Sequence, residues 1–99
     1  MPTLKAIRED LKEIRYYYAR KSTFDEAFTL TGKMCEISNK ANLYNTAIQK
    51  ATPRLFDIYY SLYIKNNTQE SLSEKLGYSS QYIQKLNDQL VRFLQKELA

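Results

Sequence analysis

The stretch from Thr68 to Leu90, "TQESLSEKLGYSSQYIQKLNDQL", constrains the fold more than any other part of the chain. Thr68 is a helix-capping residue, since its hydroxyl can accept an orphan backbone N–H. Glu70 stands close to the positive end of the helix that follows. Leu72 and Leu76 are spaced to point inward, and Gly77 comes where a helix ends in a left-handed residue. Ser79 then caps a long helix from Ser80 to about Leu98, with Ile83, Leu86, Leu90, Phe93 or Leu94, and Leu98 on its inner side. Helices joined this tightly are stable only when packed on a third.

The preceding segment, "ATPRLFDIYYSLYIKNN", supplies that third helix. Thr52 fits the cap, and Pro53 fits the first helical position because it lacks the N–H that would be orphaned there. Leu55, Phe56, Ile58, Tyr59, Leu62 and Tyr63 give an apolar face wide enough for the central helix of the domain, ended by Asn66 and Asn67.

The first half of the chain is also helical by pattern. Over residues 3–21, Leu4, Ile7, Leu11, Ile14 and Tyr18 recur at steps of three and four, with Thr3 as the cap. At about 100° per residue, Lys5, Arg8, Lys12 and Arg15 form a basic stripe beside the apolar arc, with Tyr16 among them. Glu9, Asp10 and Glu13 fall on a side expected to face solvent. Residues 22–37 are less regular: Ser22 or Thr23 caps a segment carrying Phe24, Ala27, Phe28 and Leu30, which Gly32 ends. Ile37, Ala41, Tyr44, Ala47, Ile48 and Ala51 mark a further helix over 38–51.

Two Gly and two Pro in 99 residues leave little room for turns, so the expected class is all-α with about five helices. The length suits a single domain, 1–99, in which a helical half, 1–51, packs with a helix-turn-helix half, 52–99. No apolar run approaches the roughly 20 residues that span a bilayer. The opening "MPTLKAIRED" is charged where a secretory signal is apolar, and Cys35 has no second cysteine to pair with. These features lead us to expect a cytoplasmic protein with an inert thiol and no membrane association.

Nothing in the sequence suggests an enzyme, a metal or a cofactor. There is no His, one Cys cannot build a metal cluster, and two glycines make no phosphate-cradling loop. Most of the nine Tyr fit core or boundary positions with a wet hydroxyl. The net charge of +4 mildly favours an acidic partner. The excess lies mainly in residues 1–51, with nine Lys/Arg against six Asp/Glu, while residues 52–99 hold six against five.

Counting from Gln69 as the first position, the small Ser73 is fifth, Gly77 ninth, Ile83 fifteenth and Leu86 eighteenth. This spacing resembles the helix-turn-helix pattern. The longer run "LFDIYYSLYIKNNTQESLSEKLGYSSQYIQKLNDQL" resembles region 4 of bacterial sigma factors and phage-borne regulators of the ArpU type. The likeness covers roughly residues 53–96, and includes an apolar helix, a "TQE"-like cap, a "KLGYS"-like turn and a long last helix. It implies a small DNA-binding transcriptional regulator, encoded by a phage or mobile element, that reads double-stranded DNA with its last helix. It also implies contact with RNA polymerase or another host protein.

Sigma-type recognition helices commonly carry Arg near the start. Here the base-reading positions are Ser80, Gln81, Gln84 and Lys85, and Asp88 on the same face would repel phosphate. Gln reads adenine bidentately and Ser contacts several bases. Phosphate contacts fall to Gln69, Lys75, Lys85 and Arg92. The stripe Lys5, Arg8, Lys12, Arg15 has two readings: a solvated helix face, or a surface for phosphates or an acidic partner. Readers of this kind commonly bind as homodimers, for which the first helix is the candidate interface. The alternative is a protein-binding module that uses the same fold to inhibit or bridge a host nucleic-acid enzyme.

Overall fold

A computed structural model of the chain describes residues 2–32 and 36–99. Cys35 lies outside the described residues. Among them, all regular structure is helical: α1 Leu4–Ala19, α2 Lys21–Thr31, α3 Glu36–Ile48, α4 Pro53–Tyr59, α5 Gln69–Leu76 and α6 Ser80–Glu97. The count is six rather than about five, because the irregular segment after residue 21 forms a full helix. Its apolar residues give a weak pattern because none of them is buried.

Four helices start where short hydroxyl side chains predict. Thr3 accepts from the Ala6 N–H at 3.0 Å, Thr52 from Leu55 at 3.4 Å, Thr68 from Ser71 at 3.0 Å and Ser79 from Tyr82 at 3.1 Å. Each such cap is worth about 1 kcal/mol. By contrast, α2 starts after Arg20 with no side-chain cap rather than at Ser22 or Thr23.

At its C-terminal end, α4 continues into a π-helical segment, Tyr60–Ile64, which the spacing does not foretell. Its wider turn brings the Lys65 N–H to the Tyr60 carbonyl at 2.9 Å. Asn66 then leaves the helix at a φ of 59°, a left-handed value that Asn tolerates better than most residues.

The centre of the bundle is α1, not α4. α1 packs against α2, α3, α6 and the π segment, and its Ile7, Leu11 and Ile14 are almost fully buried. The broad apolar face of α4 is only partly used inside. Phe56 and Tyr60 are each 40% exposed and stack on one another at its surface. Buried residues from both halves of the chain form one cluster, with Tyr44, Tyr59, Ile83, Leu90 and Leu94 joining those of α1. Burying each Ile or Leu contributes roughly 1.5–3 kcal/mol.

The polar flanks of α1 are also used. On the acidic flank, expected to face solvent, Asp10 accepts from the Tyr44 hydroxyl at 2.7 Å and from Lys40 Nζ at 2.9 Å. Glu13 takes the same ammonium, so this flank is the α1–α3 contact. The basic flank turns toward α6 and the end of the π segment.

Candidate nucleic-acid interface

The turn between α5 and α6 is built from three residues. Gly77 adopts φ 69°, ψ 20°, and its N–H returns to the Ser73 carbonyl. The Tyr78 N–H reaches the same carbonyl at 3.2 Å, and Ser73 Oγ donates to the Tyr78 carbonyl. Ser73 therefore ties the turn as well as being small, a role that spacing alone does not reveal. Leu76, expected to point inward, is 47% exposed.

α6 is held along two sides. On one, Arg8 Nη2 of α1 meets Asp88 Oδ1 at 3.0 Å, and Gln95 Nε2 donates to the Pro2 carbonyl at 3.0 Å. These contacts set α1 and α6 antiparallel. On the other side, Arg54 Nη1 of α4 donates to the Tyr82 hydroxyl at 2.8 Å. Below, Ile83, Leu86, Leu90, Val91 and Leu94 are buried, together with Asn87. Asn87 Oδ1 accepts from the Tyr63 hydroxyl, and burial pushes the Tyr63 pKa up. The polar character of Asn87 hides its place in the core, although it lies four residues after Ile83 and three before Leu90, on the apolar side.

The outer arc of α6 faces solvent. Ser80, Gln81, Gln84, Lys85 and Arg92 are all exposed on it. Gln69 and Lys75 are exposed on α5, where Lys75 Nζ donates to Asn67 Oδ1 at 3.0 Å. Asp88 is on the arc as expected, but its charge is matched by Arg8.

The structure divides the basic stripe of α1. Arg8 is committed to Asp88, and Arg15 Nη2 reaches the Asn66 carbonyl at 3.5 Å, closing the end of the π segment. Lys5 and Lys12 are exposed and, among the described residues, have no ion-pair or hydrogen-bond partner for their side chains.

Between α4 and α6 lies a groove of about 890 Å³. Leu55, Ile58 and Leu86 line it with Leu76 and Tyr82, and Arg54, Asp57, Lys85 and Gln89 supply its polar groups. Lys85 thus belongs both to the groove and to the outer arc.

Among the described residues, no group of three or more acidic, His or Cys side chains is placed to hold a metal ion. No described helix is long and apolar enough to cross a membrane. Comparison with protein-family models, curated proteins and solved structures finds no significant match to this chain.

Proposed function

We propose that this chain is a small DNA-binding regulator that presents the outer arc of α6 to the major groove of a duplex. One observation carries the reading. Directly after the tight turn at Gly77, α6 opens with a solvent-facing row of Ser80, Gln81, Gln84 and Lys85, while its opposite side is locked into the core. A recognition helix needs side chains that can bond base edges and a rigid seat that fixes their register. Gln81 and Gln84 suit adenine, Ser80 suits several bases, and Lys85 and Arg92 suit phosphate. On this reading the side-chain amide of Gln69, exposed at the start of α5, donates to a phosphate. The pairing of Asp88 with Arg8 removes the main electrostatic objection to this surface. The resemblance of residues 53–96 to sigma region 4 and ArpU-type regulators supports the same reading.

The test is selection of a preferred duplex from a random pool, followed by fluorescence anisotropy with the selected and a scrambled site at two salt concentrations. A preference that Gln81→Ala or Gln84→Ala relaxes is the expected result. Absence of binding to any duplex at low salt would overturn the reading.

The groove favours a second reading. Leu76 and Tyr78 sit half-exposed beside a cleft with an apolar floor, a surface suited to an apolar anchor from another protein. On that reading the same fold inhibits or bridges a nucleic-acid enzyme.

A further inference from the structure

We infer that α1 supplies a phosphate-gripping wall of the DNA surface, with Lys5 and Lys12 as the contacting cations and Arg8 held out of use by Asp88. The inference rests on the DNA-reading proposal above. Its geometry comes from the antiparallel contact between α1 and α6. With Arg8 on Asp88 and Pro2 beside Gln95, one helical turn along α1 is one turn back along α6. Lys12 therefore falls level with Gln84, and Lys5 level with Arg92. The basic row of α1 runs alongside the outer arc of α6 for its whole useful length.

Charge supports this arrangement. Lys5 and Lys12 on α1, and Lys85, Arg92 and Lys96 on α6, are exposed and share no ion pair with any described carboxylate. The net charge of the whole chain is +4, so this one face carries a positive excess as large as that of the entire molecule. Of the carboxylates nearby, Asp88 is neutralised by Arg8, and Glu9 stands at the outer edge of the α1 row. A duplex carries one negative charge per about 1.7 Å of axis, and a basic row beside a reading helix is where such charge is matched. Arg15 takes no part, because it closes the end of the π segment.

The Arg8–Asp88 pair makes the inference specific. Both side chains are nearly half exposed, so the pair is a surface feature whose net contribution to the field over the arc is close to zero. Removing either partner should unmask the other.

The experiment measures the salt dependence of binding for the full-length protein on its selected duplex, from 50 to 200 mM salt, with helix content checked by circular dichroism. Lys5→Gln and Lys12→Gln keep good helix formers at exposed positions. Each should lower the slope of log K against log salt by roughly 0.9 and weaken binding to selected and scrambled duplexes alike. Loss of one contact also changes the ratio of affinities across this salt range by ~3.5-fold. Asp88→Asn should raise the slope by about the same amount by freeing Arg8, Arg8→Gln should lower it by leaving Asp88 unmatched, and the double variant should return to the original slope. Unchanged slopes in the Lys5 and Lys12 variants, with Gln81→Ala and Gln84→Ala still relaxing sequence preference, would overturn this inference and leave the DNA reading intact. Unchanged binding in Asp88→Asn would overturn the role given to Arg8. If the unsubstituted protein binds no duplex at 50 mM salt, both proposals fall.

Discussion

At position 77 the backbone sits at a φ of +69°, and a Cβ placed there would meet no atom within 4 Å. The requirement for glycine is therefore one of backbone conformation, not of space. Gly77→Ala should cost about 1–2 kcal/mol, Gly77→Val more, and Gly77→Asn least, since Asn enters the left-handed region more readily. Thermal melts of the three variants check the order; equal midpoints would refute the left-handed turn. Ile83 is completely buried beneath the same turn, so Ile83→Ala should cost on the order of 2–5 kcal/mol in a chemical-denaturation series. Titration makes a further residue-scale prediction. Glu13 and Asp10 hold the Lys40 ammonium up, to about 12, and burial with the Asp10 contact raises the Tyr44 hydroxyl. Burial likewise raises Tyr59. All three groups keep their protons in the folded state at a pH where the unfolded chain releases them. Their stabilisation is complete below about pH 10 and declines as pH climbs through the folded values. Denaturation midpoints should hold steady from pH 8 to 9.5 and fall from pH 10 to 12, and the fall should be shallower in Lys40→Met.

Among the elements, those with the clearest local chemistry were the most legible. Thr3, Thr52, Thr68 and Ser79 mark their helix starts, and Gly32 and Gly77 mark ends, because caps and left-handed residues act within one turn. Packing partners were less legible. The wide apolar face of α4 points to a central helix, yet Phe56 and Tyr60 spend that width on the surface and α1 takes the middle. Nor could the acidic flank of α1 be assigned to α3, since Lys40 finds Asp10 and Glu13 only after the chain has folded back. The candidate site divides in the same way. The exposed row of α6 follows from helical periodicity, whereas the pairing of Arg8 with Asp88, 80 residues apart, leaves no trace in local sequence. The central place of α1 has a direct consequence. A fragment of residues 22–99 loses Ile7, Leu11 and Ile14 from the common core and should fail to give a cooperative melt, rather than behave as a domain that has shed an arm. By contrast, α2 buries no residue, with Leu30 80% exposed. Leu30→Ser should shift stability by no more than about 0.5 kcal/mol. A large loss would mean that α2 packs where the fold leaves it open.

For the molecule as a whole, the outer arc of α6 and the α4–α6 groove are neighbouring surfaces that share Lys85. They differ in what each can recognise, and this makes the two functional readings separable. The arc carries amides, a hydroxyl and cations, which on the DNA reading meet a polyanion, while the groove is lined by Leu55, Ile58, Leu76 and Leu86, which on the protein-binding reading meet an apolar anchor. Leu76 belongs only to the groove. Being half-exposed, it can accept a polar replacement without opening the core. On the DNA reading, Leu76→Ser should leave the melt nearly unchanged and bind the selected duplex within about threefold of the original, because no phosphate or base contact is lost. Gln81→Ala and Gln84→Ala should each lose roughly 1–3 kcal/mol on the selected duplex and almost nothing on a scrambled one. Arg92→Ala should weaken both duplexes equally and flatten the salt dependence. Lys85→Ala should do the same and, alone among the α6 variants, should also disturb any ligand seated in the groove. Anisotropy titrations of these five variants on both duplexes decide the matter. If Leu76→Ser abolishes activity in a reporter assay while every duplex titration remains flat across the α6 variants, the working surface is the groove and the partner is a protein.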